Sequence, residues 1–428
     1  MGWRARVAGL RMDITPLRQS PQFRLVLSAG TIFQLGGMVA YVAVPYQLYT
    51  LTHSNFLVGA VALAEILPLV VFGLYGGALA DHADRRRLLV GCGLVQVLLM
   101  AVLGANAFLD RPRIWVIFVA AALLAAAESL QRPSLAAIEP RTVSHDQIPA
   151  ATALSWLGMQ TGMLVGPAVG GLLIALVGPG WCYVVTVVSL LTATVLYHLM
   201  QPVLHTDETT PPSLRGIAEG LRYAVRRRDL LGTYLVDIAA MVLAMPVVLF
   251  PALAQDVFHR PELLGLLYSA ETIGAICATA TSGWTARVHH HGRAVVLSAG
   301  CYGVAILGAG LAPGMSLTIV CFALAGGADT ISGVFRTTVW NQTIPDTMRG
   351  RLAGIEMLSY SLGPLGGQVR AGIVADAWSV RGAIASGGGL CVLGVAATAA
   401  WLHDFWSYDA RTDEHAVAER SRRATAVG

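Results

Sequence analysis

The 428-residue chain is 55% hydrophobic and 13% charged, with a mean hydropathy of +0.63 and a formal net charge of +4. A soluble domain carries about 25% charge, so the composition points into a membrane. The 29 basic residues are all arginine, which leaves no Walker A lysine and no Schiff-base lysine. The positive charge lies mostly in tails and loops, where it orients the chain rather than binding nucleic acid. The six cysteines stand singly in apolar runs, with no disulfide or metal spacing.

In chain order, a basic tail (1–22) precedes apolar runs at about 23–50, 56–80, 87–108, 113–137, 150–176 and 181–200. A polar linker, 201–228, carries Pro202, Pro211, Pro212 and Arg226 to Arg228. Six further runs follow at about 229–256, 262–286, 292–312, 316–339, 351–376 and 382–402. Each is close to the roughly 20 residues that cross a bilayer. The first run is expected to span rather than to be a cleaved leader. The reading is an all-α polytopic membrane protein: twelve transmembrane helices, with bundles at 23–200 and 229–406. The tail 407–428 is expected to be disordered.

Arginine placement sets the expected orientation. One side receives the first tail, Arg85 to Arg87, Arg141, the linker, Arg287, Arg293, Arg349, Arg351 and the last tail. The other receives only Arg111, Arg113, Arg260, Arg370 and Arg381. Both termini are therefore expected in the cytoplasm, at the cytoplasmic (inner) cell membrane.

The halves repeat. An offset of 206 pairs Pro45 with Pro251, His53 with His259, Gly59 with Gly265, Glu65 with Glu271 and Gly77 with Gly283. An offset of 201 then pairs Glu128 with Asp329, Gly162 with Gly363, Gly166 with Gly367 and Gly171 with Gly372.

Two motifs stand out. Gly73 and Gly77 precede Asp81 and the run Arg85, Arg86, Arg87. This reads as a tight turn between two spans, with small residues on one helix face and an acid suited to a helix N-terminus. Gly162, Gly166, Pro167, Gly170 and Gly171 give a second run a smooth face with a bend. The first motif resembles the signature loop between helices 2 and 3 of the major facilitator superfamily, with His82 and Asp84 where that family has a basic residue and a glycine. The second resembles the helix 5 motif of its antiporting exporters, which packs on helix 8. Here helix 8 carries Gly265 and Gly274. Local matches at Val42–Gln47, Leu249–Ala254 and Gly350–Gly354 are similar to the branch of enterobactin, siderophore and macrolide exporters.

The resemblance implies two six-helix bundles related by an axis along the membrane normal. It also implies export of a small molecule, siderophore or drug-like, by proton antiport with alternating access. Helices 1, 4, 7 and 10 would line the cavity. A macrolide or multidrug pump and a uniporter are the alternatives within the fold. A membrane enzyme would need a clustered nucleophile, acid or metal set in the spans, and a sensor a soluble output domain. Neither is present in the sequence.

Ionisable groups inside spans are costly and mark function by default. They are Glu65, Glu128 with Arg132, Asp237, Glu271, Asp329 and Glu356. Glu128 and Arg132, four apart, have the spacing to neutralise one another. Gln34, Tyr41, Tyr46 and Gln47 are candidates to line a polar cavity. His289 to His291 reads as a solvated loop rather than a metal site. The proton is the expected coupling ion, no cofactor or metal is expected, and the partners are substrate and bilayer, with the chain a monomer.

Overall fold

The computed structural model describes residues 13–82, 84–201, 219 and 222–427; side chains over 74–82, 137, 346, 347, 349–351, 353–359 and 423–427 lie outside the description. Gly77, Asp81 and Glu356 are thus described as backbone only, and most of the linker 201–228 lies outside the described residues.

Twelve long helices follow one another, with no strand among the described residues. In the first half these are α1 (Pro21–Thr52), α2 (Asn55–His82), α3 (Arg85–Ala107), α4 (Ile114–Ile138), α5 (Ile148–Val177) and α6 (Pro179–His198). The second half holds α7 (Arg228–Ala244), α8 (Leu264–Ala280), α9 (His291–Leu311), α10 (Met315–Thr343), α11 (Asp346–Ala377) and α12 (Val380–Trp401). All but α11 qualify as spans on apolar length among the described residues, and α11, at 32 residues, occupies the twelfth place.

Local chemistry sets the boundaries. Ser20 caps α1 by accepting from the Phe23 N–H at 3.0 Å, ahead of Pro21. Asp84, which stands where the signature loop has glycine, caps α3 by accepting from the N–H groups of Arg86 (2.9 Å) and Arg87 (3.3 Å). Gly178, at φ 91°, reverses the chain between α5 and Pro179 of α6. His53 and His259, paired by the 206 offset, are the two non-glycine residues with positive φ among those described, at 50° and 52°. The two copies thus leave helix 1 and its equivalent by the same left-handed step.

The seventh span differs from the expected single helix over 229–256. It ends at Ala244 and continues through short turns to Val257, because Pro246 and Pro251 cannot complete the hydrogen-bond ladder. Carbonyls freed by the break are satisfied from neighbours: the Arg370 guanidinium donates to Leu243, and the Tyr302 hydroxyl to Ala244 at 3.5 Å. Arg370 therefore lies within α11, not in an external loop.

In the first half α1 packs on α5 and α6, α2 on α4, and α3 on α4 and α6. In the second, α7 packs on α11 and α12, α8 on α10, and α9 on α10 and α12. The halves meet along two seams, α2 with α11 and α5 with α8.

The last tail is ordered where disorder was expected. Glu414–Val427 forms a helix, α13, that packs on α10. Asp413 caps it through the N–H groups of His415 (3.1 Å) and Ala416 (3.0 Å); Ala416 of this helix is buried, as are Tyr408 and Ala410 before it.

Candidate functional site: the seams and the charges between them

Both seams are built on glycine. A Cβ on Gly59 would come 2.5 Å from the Gln368 carbonyl oxygen, and one on its repeat mate Gly265 would come 2.5 Å from that of Pro167. Gln368 and Pro167 are themselves mates at the 201 offset. Gly372 abuts the Asn55 backbone and Gly171 the Gly265 backbone. No side chain fits at these crossings, so the helix backbones touch.

The helix 5 motif divides its work. Gly162 lies against Gln34, Gly166 against Leu35 and Met38, and Gly170 against Val39, all on α1 of the same half. Gly171 alone of these glycines reaches α8, where Gly265 packs against Pro167 and Ala168. Gly274 faces Ala323 and Gly327 of α10 instead. The motif thus meets helix 8 through Gly171 and Pro167, while its other glycines pack on α1. Glycines four apart share one face, and that face looks into the bundle; Gly171, one residue further round, looks across the seam.

The α2–α11 seam carries a polar lock. Asp376, at the end of α11, accepts from Ser54 Oγ (2.7 Å), Asn55 N–H (2.8 Å), Asn55 Nδ2 (2.9 Å) and Phe56 N–H (2.9 Å). One half thus supplies the N-cap of a helix in the other, placing a carboxylate on the positive end of the α2 dipole. Nearby, the Tyr49 hydroxyl donates to Asp256, and Gln255 Nε2 to Thr50 Oγ1 at 3.4 Å. The α5–α8 seam has Ser269 Oγ donating to the Leu164 carbonyl at 3.0 Å. Between described residues, the hydrogen bonds joining the halves gather toward the arginine-poor end.

Deeper lie the ionisable residues. Arg336 of α10 is buried; it donates to Asp237 of α7 and lies 3.6 Å from Asp329, about two turns earlier on its own helix. Its guanidinium also lies 5.9 Å from the Tyr360 ring centre. Asp237 is fully enclosed, whereas the Asp329 side chain is 40% exposed. An acid exposed in mid-span faces an internal cavity rather than lipid, where its charge would be too costly. In the first half Glu128 accepts from Arg132 at 2.7 and 3.2 Å, and both side chains are exposed.

Glu65 and Glu271 have no ion-pair or hydrogen-bond partner among the described residues, and Oε1 of Glu271 is buried. The Glu271 backbone lies against Gly326 of α10. Tyr41 of α1 lies within electrostatic reach of both carboxyls and meets Tyr268 of α8 edge-on at 5.7 Å. These residues therefore bring α1, α2, α8 and α10 to one region between the halves.

The remaining candidates separate. Gln34 packs on Gly162. Gln47 is buried and accepts from Tyr183 at 2.6 Å, which ties it into the first bundle. Arg85 is buried, and Arg86 donates to the His198 carbonyl. Gly73 lies in α2, about two and a half turns before its end. Sequence reasoning missed Arg336 and Asp376 as site residues. A charge inside a span was the available signal for Arg336; nothing local marks Asp376.

A family model described as a transmembrane secretion effector matches residues 12–420. The chain is 30% identical over 397 residues to the enterobactin exporter EntS of Shigella flexneri, covering 90% of this chain and 92% of that protein. Its identity to the EntS of Shigella boydii serotype 4 is 29% over the same length. Among solved structures it is similar to a bacterial homologue of the human lysosomal transporter Spinster in an inward-facing, unoccupied conformation, with TM-score 0.69, 16% identity, and 94% and 97% of the two chains covered. A bacterial homologue of the iron transporter ferroportin, inward-facing, gives TM-score 0.68 at 15% identity over 90% and 98% of the chains. These structural likenesses establish the fold.

Proposed function

Because this chain belongs to the transmembrane secretion effector family of major facilitator transporters, we propose that it exports a small molecule, siderophore or drug-like, across the cytoplasmic membrane by proton antiport. Placing the arginine-poor end outside follows the positive-inside bias. The seams then close the external end of the cavity, and alternating access would open them while closing the other end.

One observation carries the coupling assignment. The described side chains of Glu128, Asp237 and Asp329 each have an arginine within 4 Å, whereas Glu65 and Glu271 have none. A carboxyl without a cation is the one whose protonation responds most to a change in solvent exposure. Glu271 is the stronger choice, since it sits on α8, which crosses Gly171 at the seam. Asp237, committed to Arg336, is a poorer carrier.

The test uses purified protein in liposomes with an imposed proton gradient. Glu271→Gln loses uphill export but keeps exchange of substrate down its own gradient. Retention of uphill pumping in Glu65→Gln, Glu271→Gln and Asp237→Asn would sink the assignment. Equal substrate distribution with and without the gradient in the parent protein would mark a uniporter. Comparing exported metabolites from cells with and without the protein, with siderophores and macrolides on the panel, identifies the substrate.

A further inference from the structure

The repeat supplies an internal comparison for the acids exposed in mid-span. At the 201 offset Glu128 corresponds to Asp329, and Arg132 corresponds to Gly333. In the first half Arg132, one turn beyond Glu128, donates to it at 2.7 and 3.2 Å, so the exposed acid carries its own cation. In the second half the position of that guanidinium holds no side chain. A Cβ on Gly333 would meet only Arg336 Nη2, at 3.8 Å, an ordinary contact, so packing does not demand glycine there. The glycine leaves a recess beside Asp329. We propose that this recess binds a protonated amine of the transported compound, in the place that Arg132 fills in the first half. The proposal rests on the reading of the chain as an exporter and names its substrate class.

Arg336 does not fill the gap. It is buried, donates to Asp237, and stays 3.6 Å from Asp329, beyond hydrogen-bond reach. Asp329 accepts no hydrogen bond from a described residue. Two carboxylates thus share one guanidinium, and one negative charge is left over. Asp237 is enclosed and the Asp329 side chain is exposed, so the surplus faces the cavity. Glu271 of α8 lies within electrostatic reach of Asp329 and brings no cation with it. Uncompensated charge inside a span is costly, and a bound cation offsets it.

An aromatic ring borders the same place. Tyr360 of α11 is 42% exposed, and its ring centre lies 5.9 Å from the Arg336 guanidinium. Trp340, four residues past Arg336, backs that ring at 6.3 Å. At the 201 offset the mate of Tyr360 is Met159, so the ring too belongs to the second half alone. Asp329, Gly333, Arg336 and Trp340 recur at the spacing of one helix face. A carboxylate beside an exposed ring suits an ammonium carrying apolar substituents, which gains a charge pair and a cation–π contact together. A divalent metal is the poorer occupant, since the described residues hold no group of three metal-ligating side chains. The substrate is therefore an amphiphilic amine rather than an anionic siderophore.

The test is probe binding to the full-length protein in detergent, read by fluorescence anisotropy. The probes are dansylcadaverine, a primary amine, and its N-acetyl derivative, which keeps the shape and loses the charge. Dansylcadaverine should bind saturably and the acetylated probe about tenfold more weakly, the scale of one charge-assisted contact. Asp329→Asn should bring the amine down to the level of the acetylated probe. Gly333→Arg supplies in the chain the cation that the first half has, and should abolish amine binding while the protein keeps a cooperative unfolding transition. Tyr360→Leu should weaken the amine roughly threefold. Equal affinity for the two probes, no binding of either, unchanged amine binding in Asp329→Asn or in a folded Gly333→Arg, or displacement of the amine by sodium at constant ionic strength would overturn the proposal. The measurement needs no gradient. Amine binding without uphill export would sink the antiport reading alone, and export of an anionic siderophore by a protein that ignores amines would sink this proposal alone.

Discussion

The two seams are copies of one design with different fastenings. Gly59 on Gln368 and Gly265 on Pro167 are the same crossing made twice, and their backbones approach equally closely. Yet the α2–α11 seam is locked by four hydrogen bonds to one carboxylate, while the α5–α8 seam has a single serine-to-carbonyl bond. At the 201 offset, the mate of Asp376 is Ala175. The halves differ the same way in depth: the arginine of the second half is buried between two acids, and that of the first shares one exposed acid. Duplication preserved what shape demands at both seams and let the polar groups diverge, so that one seam is held more firmly than the other.

The buried and exposed ion pairs give the largest expected contrast. Arg336→Met strands a buried carboxylate and should cost about 3–5 kcal/mol, read as a large fall in unfolding temperature. Arg132→Met, at the exposed pair, should cost less than about 1 kcal/mol. Equal losses would mean that the halves bear their charges alike. The double variant Asp237→Leu with Arg336→Met should recover much of the loss.

Overpacking the seams comes next. Gly59→Val and Gly265→Val should each cost roughly 1–3 kcal/mol in the closed state and stop transport, since a Cβ has no room at either crossing. Cysteines placed near the Asn55 end of α2 should then label more readily from outside. A difference of transport rate between the two variants would break the proposed equivalence of the glycine contacts.

Asp376→Ala removes the shared cap, a loss of about 0.5–2 kcal/mol. It should shift the population toward an externally open form, seen as a longer spin-label distance between the ends of α2 and α11. Ser269→Ala, at the other seam, should cost roughly 0.6 kcal/mol, the typical worth of a hydrogen bond between membrane helices. If Ser269→Ala opens the external end as far as Asp376→Ala does, the seams are fastened equally after all.

Much of this was legible because it is local. His53 and His259 share a place in the repeat and a left-handed turn. Pro246, lacking a proline mate in the first half, sits where α7 breaks while α1 runs through Pro45 unbroken. The glycines of α5 announced close packing, though not which neighbour each would meet, because the facing surface belongs to another helix. The signature-loop expectation for Asp81 rests on a side chain outside the described residues. In the same loop Asp84 caps α3, and at the opposite end of α2 a carboxylate of the other half, Asp376, caps that helix.

The sequence by itself determined the membrane setting, the twelve spans, the six-plus-six repeat and the places where small residues let helices touch. These follow from apolar length and from residue spacing within a single helix. The tertiary structure alone decided which charges are spent and which are free. Asp376 reaches Asn55 across 321 residues and Arg336 reaches Asp237 across 99, and no pattern along the chain encodes such pairings. A hydrogen bond is made by groups a few ångströms apart in space, and once two bundles fold against each other, distance along the chain no longer says which groups those are.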